Sequence, residues 1–343
     1  MVLGKSIAAI ALSLFASLAA CSGGGTAGTS ATSSPTSEPT SSTRGIAAAA
    51  PWVTFYGTAR TTDVASAAAT FRLFDIDVDP DGGWTDAQLA TLGAGGTNRV
   101  LSYLNIGSCE RTRSYWATVP AGFTSCGANV AAQRGAYAGY PNEVWMNPAN
   151  PAYQHLIVDY VAARLAARRI DGFYLDNLEI AEHGTATTNG PCDASCRQGG
   201  LDLVRMLRAR YPELLLVMQN ATSDVTRLGV TGGVAFPTLL DGVAHEEVFA
   251  PSYDATAEAQ LLAWKAMGLR PGGSPLWIGT VDYVGSCSQR RRRRPPTPGA
   301  APTASIRTPR TRARDSSPSA PGDSKPTCDW SIYQVSGALV SPG

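Results

Sequence analysis

Short apolar runs alternate with amphipathic helical patterns along the middle of the chain. Each apolar run is followed by a loop and then, in most cases, by a stretch whose apolar residues recur at helical spacing. Repeated strand and helix units of this kind are typical of a parallel sheet covered by helices. The pattern predicts strands at residues 52–56, 71–77, 99–106, 172–176, 214–219, 242–248 and 276–281.

Three of the intervening helices are readable from their spacing. Residues 152–169 place Leu156 and Leu165 on one apolar stripe, and basic residues crowd the last turns, where cations suit the helix dipole. A second helix is predicted over residues 201–210. A third is predicted to follow Asp254, which is a suitable N-cap.

The predicted strands and helices fit one α/β domain over residues 51–287, a (β/α)8 TIM barrel. Such a barrel takes ~250 residues, and a core of that size is stable without many crosslinks. Closure requires an eighth strand, so either residues 331–340 supply it or the barrel is incomplete. The alternative is an open doubly wound sheet, but no Gly-rich phosphate loop follows an early strand to support nucleotide binding.

The N-terminal region has the composition of an export signal and a spacer. Residues 1–20 combine a lysine, a short apolar stretch and small residues, which predicts a signal peptide too short to span a membrane comfortably. LAAC at 18–21 resembles the bacterial lipobox, which implies lipid attachment to Cys21; ordinary secretion with an incidental cysteine is the alternative. Residues 21–50 predict a disordered tether. We expect an extracellular protein that contacts the membrane only through its lipid anchor.

Composition changes again after residue 287. Residues 288–343 include five consecutive arginines at 290–294, followed by Pro, Thr, Ser, Ala and further Arg, so they offer no core element. We interpret this tail as disordered or as the product of a sequence error, with a polyanion-binding or cell-wall-binding tail as the alternative. Because the net charge is +1 and the folded part has no basic stripe, nucleic acid is not an expected partner.

Six cysteines follow Cys21, an even number in an exported chain, which favours disulfides. The candidate pairs are Cys109 with Cys126, Cys192 with Cys196, and Cys287 with Cys328. Zinc is the competing interpretation of the 192–196 pair, although no second Cys or His pair stands nearby with suitable spacing. We expect no metal and no cofactor.

Acidic side chains dominate the ends of the predicted strands. In a β/α barrel these ends form the active site, so the acids are expected to meet at one mouth. Paired carboxylates suit glycosidic bond cleavage, since one protonates the leaving oxygen while the other attacks the sugar carbon or activates water. Acids at strand ends are also common as loop caps or calcium ligands. The acids concerned are Asp75, Asp77, Asp79, Asp81, Glu110, Asp176, Glu179, Glu246, Glu247 and Asp282.

Five segments give the chain a resemblance to glycoside hydrolase family 114, the endo-α-1,4-polygalactosaminidase family, over most of residues 52–284. VLSYLNIGSCE at 100–110 looks like the family's third-strand motif, and DGFYLDN at 171–177 looks like its fourth-strand signature. NEVWMN at 142–147 is similar to Gly-Glu-Arg-Trp-Leu-Asp, MQN at 218–220 to Leu-Lys-Asn, and HEEVF at 245–249 to Asn-Glu-Glu-Cys-Phe. The departures are Asn147, Gln219, His245 and Val248.

The resemblance implies that Asp176 and Glu246 are the catalytic carboxylates, with Asp176 as nucleophile or base and Glu246 as general acid. The implied substrate is a polymer of α-1,4-linked galactosamine, which is cationic when not acetylated and suits an acidic mouth. Glu247 is the alternative to Glu246, because a one-residue slip along a strand exchanges inward and outward side chains.

The same resemblance implies which residues contact the sugar. They are Asp77, Tyr103, Glu110, Trp145, Asn177, Asn220, Glu247 and Tyr283, with Trp84 as a further stacking face. A non-catalytic carbohydrate-binding lipoprotein is the alternative function, since it would use the same acidic and aromatic mouth without a competent acid and nucleophile.

Overall fold

The computed structural model describes residues 45–57, 63–267 and 275–282. Seven strands form one parallel sheet, and their order in the sheet is their order along the chain. All seven predicted strands are confirmed, with ends that move by at most two residues. They are β1 (Trp52–Phe55), β2 (Leu73–Ile76), β3 (Arg99–Asn105), β4 (Gly172–Asp176), β5 (Leu215–Gln219), β6 (Gly242–Glu246) and β7 (Trp277–Val281).

The sheet curves into a nearly closed barrel. Its interior is a cluster of buried side chains that includes Trp52 on β1, Tyr174 on β4 and Trp277 on β7. The ring centroids of Trp52 and Trp277 lie 5.0 Å apart, so the first and last strands meet through their side chains. The other face of the sheet belongs to a larger core shared with the helices. Because an open doubly wound sheet would reverse its strand order, the sequential order confirms the barrel.

Within the described residues, β1 pairs with β2 alone and β7 pairs with β6 alone. Several predictions concern residues outside the described ranges and stay predictions. They are the signal peptide, Cys21, the tether up to residue 44, Tyr283, the pairing of Cys287 with Cys328, the eighth strand at 331–340 and the tail at 288–343.

The predicted helices are confirmed. Asp254 is the N-cap of its helix, since its carboxylate accepts the N–H groups of Thr256 and Ala257. The helix predicted over 152–169 has a π turn in its middle and ends earlier, and Arg169 has a left-handed φ of 58°. Helices of the described residues are Val64–Thr70, Asp86–Gly93, Ser114–Ala117, Pro151–His155, Leu156–Val161, Ala162–Ala166, Ala194–Arg210, Asp224–Arg227 and Ala255–Ala266. None of them is both long and apolar enough to cross a membrane.

Short 3-10 helices and a small hairpin complete the connections between the larger elements. The 3-10 helices are Pro80–Gly82, Ala94–Gly96, Val130–Ala132, Leu178–Glu182 and Phe236–Leu239, and the hairpin joins Val230–Thr231 to Val234–Ala235.

A three-stranded antiparallel sheet, which we call the side sheet, lies between β3 and β4 in the chain. It consists of Ser108–Glu110, Gln133–Ala136 and Glu143–Met146, with the last of these in the centre. No sequence pattern predicted this sheet. One disulfide joins the first side-sheet strand to the loop that follows, through Cys109 and Cys126.

A second disulfide joins Cys192 and Cys196 at the start of the helix Ala194–Arg210. Both of these predicted pairs are confirmed. The zinc interpretation of Cys192 and Cys196 is wrong, because the two sulfur atoms are bonded to each other.

Candidate active site

A cavity of about 530 Å³ lies at the C-terminal ends of the barrel strands. Strand-end residues of the barrel form one part of its wall, and the side sheet with its loops forms another. Six carboxyl groups and one guanidinium group face it. The lining residues are Tyr56, Asp77, Asp81, Tyr103, Glu110, Thr112, Arg113, Tyr137, Tyr140, Glu143, Asp176, Asn177, Gln219, Asn220 and Glu246.

The alternation of side chains along each strand directs these polar groups into the mouth. On β4, Tyr174 lies in the barrel interior, and Asp176 lies two residues further along on the same face. On β6, Ala244 and Glu246 repeat this arrangement. Because alternate side chains share a face and parallel strands end at the same edge, both carboxylates sit directly above the interior cluster.

The carboxyl group of Asp176 accepts hydrogen bonds from both neighbouring strands. Nε2 of Gln219 on β5 lies 3.2 Å from Oδ1, and the hydroxyl of Tyr103 on β3 also donates to this carboxyl group, as does the backbone N–H of Asn177. Burial and the negative charge of Glu246 raise the pKa of Asp176 to about 7, although the hydrogen bonds from Tyr103 and from the N–H of Asn177 act in the opposite direction. The carboxyl groups of Asp176 and Glu246 therefore interact through their charges.

Asn220 positions Glu246. Its Nδ2 donates to Oε2 of Glu246 at 3.1 Å, and its Oδ1 accepts the backbone N–H of Glu246 at 2.9 Å. One amide group therefore fixes both the main chain and the carboxylate of Glu246, which sets the direction of that carboxylate into the cavity.

The chain leaves β4, β5 and β6 through left-handed residues, which are Asn177, Asn220 and Glu247 with φ of 64°, 63° and 55°. Asparagine is common in this region, whereas glutamate is unusual there. The turn carries Glu247 away from the mouth, so that it is exposed and does not line the cavity. Contrary to expectation, the structure does not bring Glu247 to the substrate side.

Asp77 and Glu110 face the cavity but are already paired with Arg113. The guanidinium group donates to Asp77 at 2.6 Å and to both carboxylate oxygens of Glu110 at 2.7 and 3.0 Å. It also lies 5.7 Å from the ring centroid of Tyr103, whose hydroxyl donates to Asp176. Sequence reasoning missed Arg113, for which the only available signal was its spacing of three residues from Glu110.

Glu143 is a further cavity carboxylate that was not among the expected site residues. It accepts a hydrogen bond from Oγ of Ser108 at 2.7 Å, and Ser108 in turn accepts from Asn105 and Asn177. Burial raises the pKa of Glu143. The backbone of Asn177 packs closely against residue 107. Only glycine fits at this position, because a Cβ on Gly107 would lie 1.7 Å from the carbonyl oxygen of Asn177.

The aromatic wall of the cavity consists of tyrosines rather than the expected tryptophans. Tyr56, Tyr137 and Tyr140 line it together with the expected Tyr103. Trp145 is only 1% exposed because Tyr137 covers its indole, and Trp84 is 5% exposed within the core. Contrary to expectation, neither tryptophan offers a face to a sugar. Tyr56, Tyr137 and Tyr140 lie outside the predicted catalytic motifs, so no sequence signal distinguished them.

Two buried carboxyl groups lie near the mouth without lining the cavity. Asp75 on β2 is 0% exposed and accepts hydrogen bonds from Tyr56 and Thr54. Glu179 lies just after β4, and its Oε2 has no hydrogen-bond partner within the described residues. Burial raises the pKa of both groups, with the charge of Asp176 acting in the same direction on each. Burial thus disfavours the charged form of each group.

The structure gathers most of the expected site residues in one place. Asp77, Tyr103, Glu110, Asn177 and Asn220 share the cavity with Asp176 and Glu246, while Trp145 and Glu247 lie outside it and Tyr283 is not described. Among the described residues, no group of three or more His, Cys, Asp or Glu side chains is arranged to hold a metal ion.

Comparisons with known proteins agree with the barrel. A sequence model of glycoside-hydrolase family GH114 matches residues 31–247. Similar solved structures include the glycoside hydrolase domain of PelA from Pseudomonas aeruginosa, with 17% identity, coverage of 70% of this chain and 86% of that chain, and a TM-score of 0.51. They also include Aspergillus fumigatus Ega3 in complex with galactosamine, with 15% identity, coverage of 71% and 85%, and a TM-score of 0.51. At such identities the likeness to solved structures shows the fold alone. A search of the curated proteins gives no match.

Proposed function

This chain belongs to glycoside-hydrolase family GH114 and is a glycoside hydrolase, and from that premise we propose that it cleaves α-1,4-galactosaminidic bonds within galactosamine-containing exopolysaccharide. The observation that carries the proposal is the pair Asp176 and Glu246, which share one cavity at the C-terminal ends of the barrel strands and interact through their charges. Two carboxyl groups at one mouth are what glycosidic cleavage requires.

In the proposed reaction Glu246 is the general acid and Asp176 is the nucleophile or base. The hydrogen bonds from Tyr103 and the N–H of Asn177 stabilise the ionised form of Asp176, in which it acts as nucleophile or base. Glu246 then gives its proton to the glycosidic oxygen as that bond breaks. Asp176 attacks the anomeric carbon or takes a proton from the attacking water.

The charge of the cavity supports an amino sugar as substrate. Asp77 and Glu110 are neutralised in part by Arg113, and Asp81 lies 3.9 Å from Arg164, so the six cavity carboxyl groups still outnumber the cations beside them. A protonated amino group at C2 of galactosamine would donate charge-assisted hydrogen bonds to such carboxylates, which a neutral sugar cannot do. The complex of Ega3 with galactosamine agrees with this substrate class.

The test is incubation of the purified protein with de-N-acetylated and with acetylated galactosamine polymers, followed by mass spectrometry of the released oligosaccharides. A ladder of products is expected, since an endo-acting enzyme cuts within the chain. If the folded protein releases nothing from either polymer, the proposed substrate is wrong. Polymer that is bound but left intact would instead support the non-catalytic carbohydrate-binding protein.

The raised pKa of Asp176 predicts how activity depends on pH. Asp176 acts as nucleophile or base only in its ionised form, and lowering the pH through about 7 protonates it. We therefore expect kcat/KM to fall about tenfold per pH unit below this midpoint. The pH profile of kcat/KM tests this, and substrate binding to the Glu246→Gln variant, measured at each pH, shows how much titration of the substrate's own amino groups contributes. A profile that stays flat down to about pH 5 would contradict it.

We further propose that the enzyme is exported and held at the outer face of the cell membrane by a lipid on Cys21. The support is the lipobox-like sequence at 18–21 and the low-complexity tether that follows it. We expect labelled palmitate to be incorporated into the wild-type protein but not into the Cys21→Ser variant. Equal labelling of both would reject the anchor.

A further inference from the structure

Three aromatic rings contact one another in succession from the core of the side sheet to the cavity. Trp145 is buried, and Tyr137 lies on it with ring centroids 4.0 Å apart and an interplanar angle of 19°. Tyr140 meets Tyr137 edge to face at 4.8 Å and is 44% exposed. Tyr137 and Tyr140, which we call the tyrosine platform, both line the cavity that holds the catalytic pair.

The backbone beneath the tyrosine platform is fixed by hydrogen bonds. The N–H of Tyr137 donates to the carbonyl of Glu143, and the N–H of Glu143 donates to the carbonyl of Tyr140, at 3.1 and 2.9 Å. The platform segment is therefore a closed turn of the side sheet. The order of its rings is built into the fold and does not have to be created when a ligand binds.

The indole that supports the platform is fixed as well. Nε1 of Trp145 donates to Oδ1 of Asn189 at 2.7 Å, and the same oxygen accepts the N–H of Ala138 at 2.9 Å. Gly190 lies against the indole so closely that a Cβ there would be 2.7 Å from Cγ of Trp145. The loop around residue 189 thus locks the tryptophan, and the tryptophan sets the plane of Tyr137.

The position of the platform relates it to the reacting bond. Tyr137 and Tyr140 line the same cavity as Asp176 and Glu246, and the negative charge of Asp176 is among the causes that raise the pKa of Tyr137. Tyr140 is the next ring outward. A polymer threaded through the mouth would therefore place one sugar against Tyr137 and a more distant sugar against Tyr140.

We propose that the tyrosine platform is a stacking subsite for the polymer, in which Tyr140 packs on a sugar beyond the one at the cleaved bond, and that it gives the enzyme a preference for longer chains. The inference rests on the proposed function, because the occupant is a pyranose of the galactosamine polymer. In a galacto sugar the C–H groups at C3, C4 and C5 form an apolar face, which packs on an aromatic ring. A protonated amino group nearby is also attracted to the ring face.

The test measures binding of α-1,4-linked galactosamine oligosaccharides of increasing length by calorimetry, in the Glu246→Gln background so that no substrate is consumed. Adding Tyr140→Ala is expected to weaken binding of the longer oligosaccharides by about two- to tenfold and to leave galactosamine itself unchanged. Tyr140→Phe is expected to retain the affinity, because the ring is kept. Tyr253→Ala is the matched control, since Tyr253 is 60% exposed but does not line the cavity.

The outcomes separate the two proposals. Equal affinities with and without the Tyr140 ring at every length would overturn the platform while leaving the substrate assignment in place. A loss of the same size for galactosamine and for long oligosaccharides would also overturn it, because the ring would then act at the reacting sugar. If no oligosaccharide binds even the parent variant, the proposed substrate fails, and the platform fails with it.

Discussion

Replacing Glu246 by glutamine is expected to lower kcat on galactosamine polymer by at least about a thousandfold, and Asp176→Asn is expected to do the same. Each change removes a group that must gain or lose a proton, or form a bond, during cleavage. Both changes preserve shape, since Asn220 can still donate to the Gln oxygen and Gln219 to the Asn oxygen. The variants should therefore fold, and steady-state kinetics with thermal unfolding curves will check both points.

Glu247→Gln is the matched control for this experiment. It makes the same chemical change one residue further along the chain, at an exposed side chain outside the cavity. We expect it to keep the wild-type kcat. If Glu246→Gln retained more than about a tenth of the activity, or if Glu247→Gln lost as much, the assignment of the acid would be wrong.

A substrate with a good leaving group distinguishes the two catalytic roles. A leaving group that departs without a proton needs no general acid. On such a substrate the acid variant therefore loses less kcat relative to the wild type. The nucleophile or base variant loses as much kcat as before, because that group acts on the anomeric carbon or on water. We expect the first behaviour from Glu246→Gln and the second from Asp176→Asn; the opposite result would exchange the roles.

Much of the fold was predictable because parallel barrel strands are buried on both faces and read as apolar runs. β4 and β5 show this, with every residue from Gly172 to Leu175 and from Leu215 to Gln219 buried. The two catalytic candidates were also predictable, since a strand's end and its two-residue period fix which side chains face the mouth.

The side sheet and the tyrosine platform could not be predicted in the same way. The side-sheet strands are short, and Gln133–Ala136 is polar and partly exposed, so no apolar alternation marks it. Tyr137 and Tyr140 lie in a turn, where an aromatic residue carries no periodic signal. Trp145 was expected to face the sugar because of the family resemblance, but the structure shows that Tyr137 covers it.

Glu247 illustrates a second limit of the sequence. The run HEEVF contains no glycine or proline, so the predicted strand continued to residue 248, whereas β6 ends at Glu246. The left-handed φ of Glu247 is set by the tertiary structure, in which its N–H donates to the carbonyl of Val281 on β7. Local preference alone would not place a glutamate in that conformation.

The opposite end of β6 carries a buried ion pair. Asp241, immediately before the strand, is buried and pairs with Arg208 of the helix Ala194–Arg210, whose side chain is 13% exposed. Asp241 also accepts the backbone N–H of Leu216 at 2.8 Å, and Arg208 donates to the carbonyls of Leu214 and Leu239. The pair therefore joins a helix to two barrel strands at the end remote from the catalytic groups.

Arg208→Met is expected to destabilise the protein by about 3–5 kcal/mol, because it removes the cationic partner of a carboxylate buried away from water. For a domain of this size that corresponds to a fall in Tm of roughly 6 to 20 °C. Arg210→Met on the same helix is the control, since Arg210 is 60% exposed and 3.8 Å from Asp159, and its loss should cost at most about 1 kcal/mol. Below the melting transition kcat should be unchanged. The ion pair lies at the N-terminal end of β6, whereas the catalytic groups lie at the C-terminal ends of the strands. Equal Tm shifts for the two variants would show that the buried pair does not stabilise the barrel. A loss of kcat in folded Arg208→Met would show that the two ends of the strand are coupled.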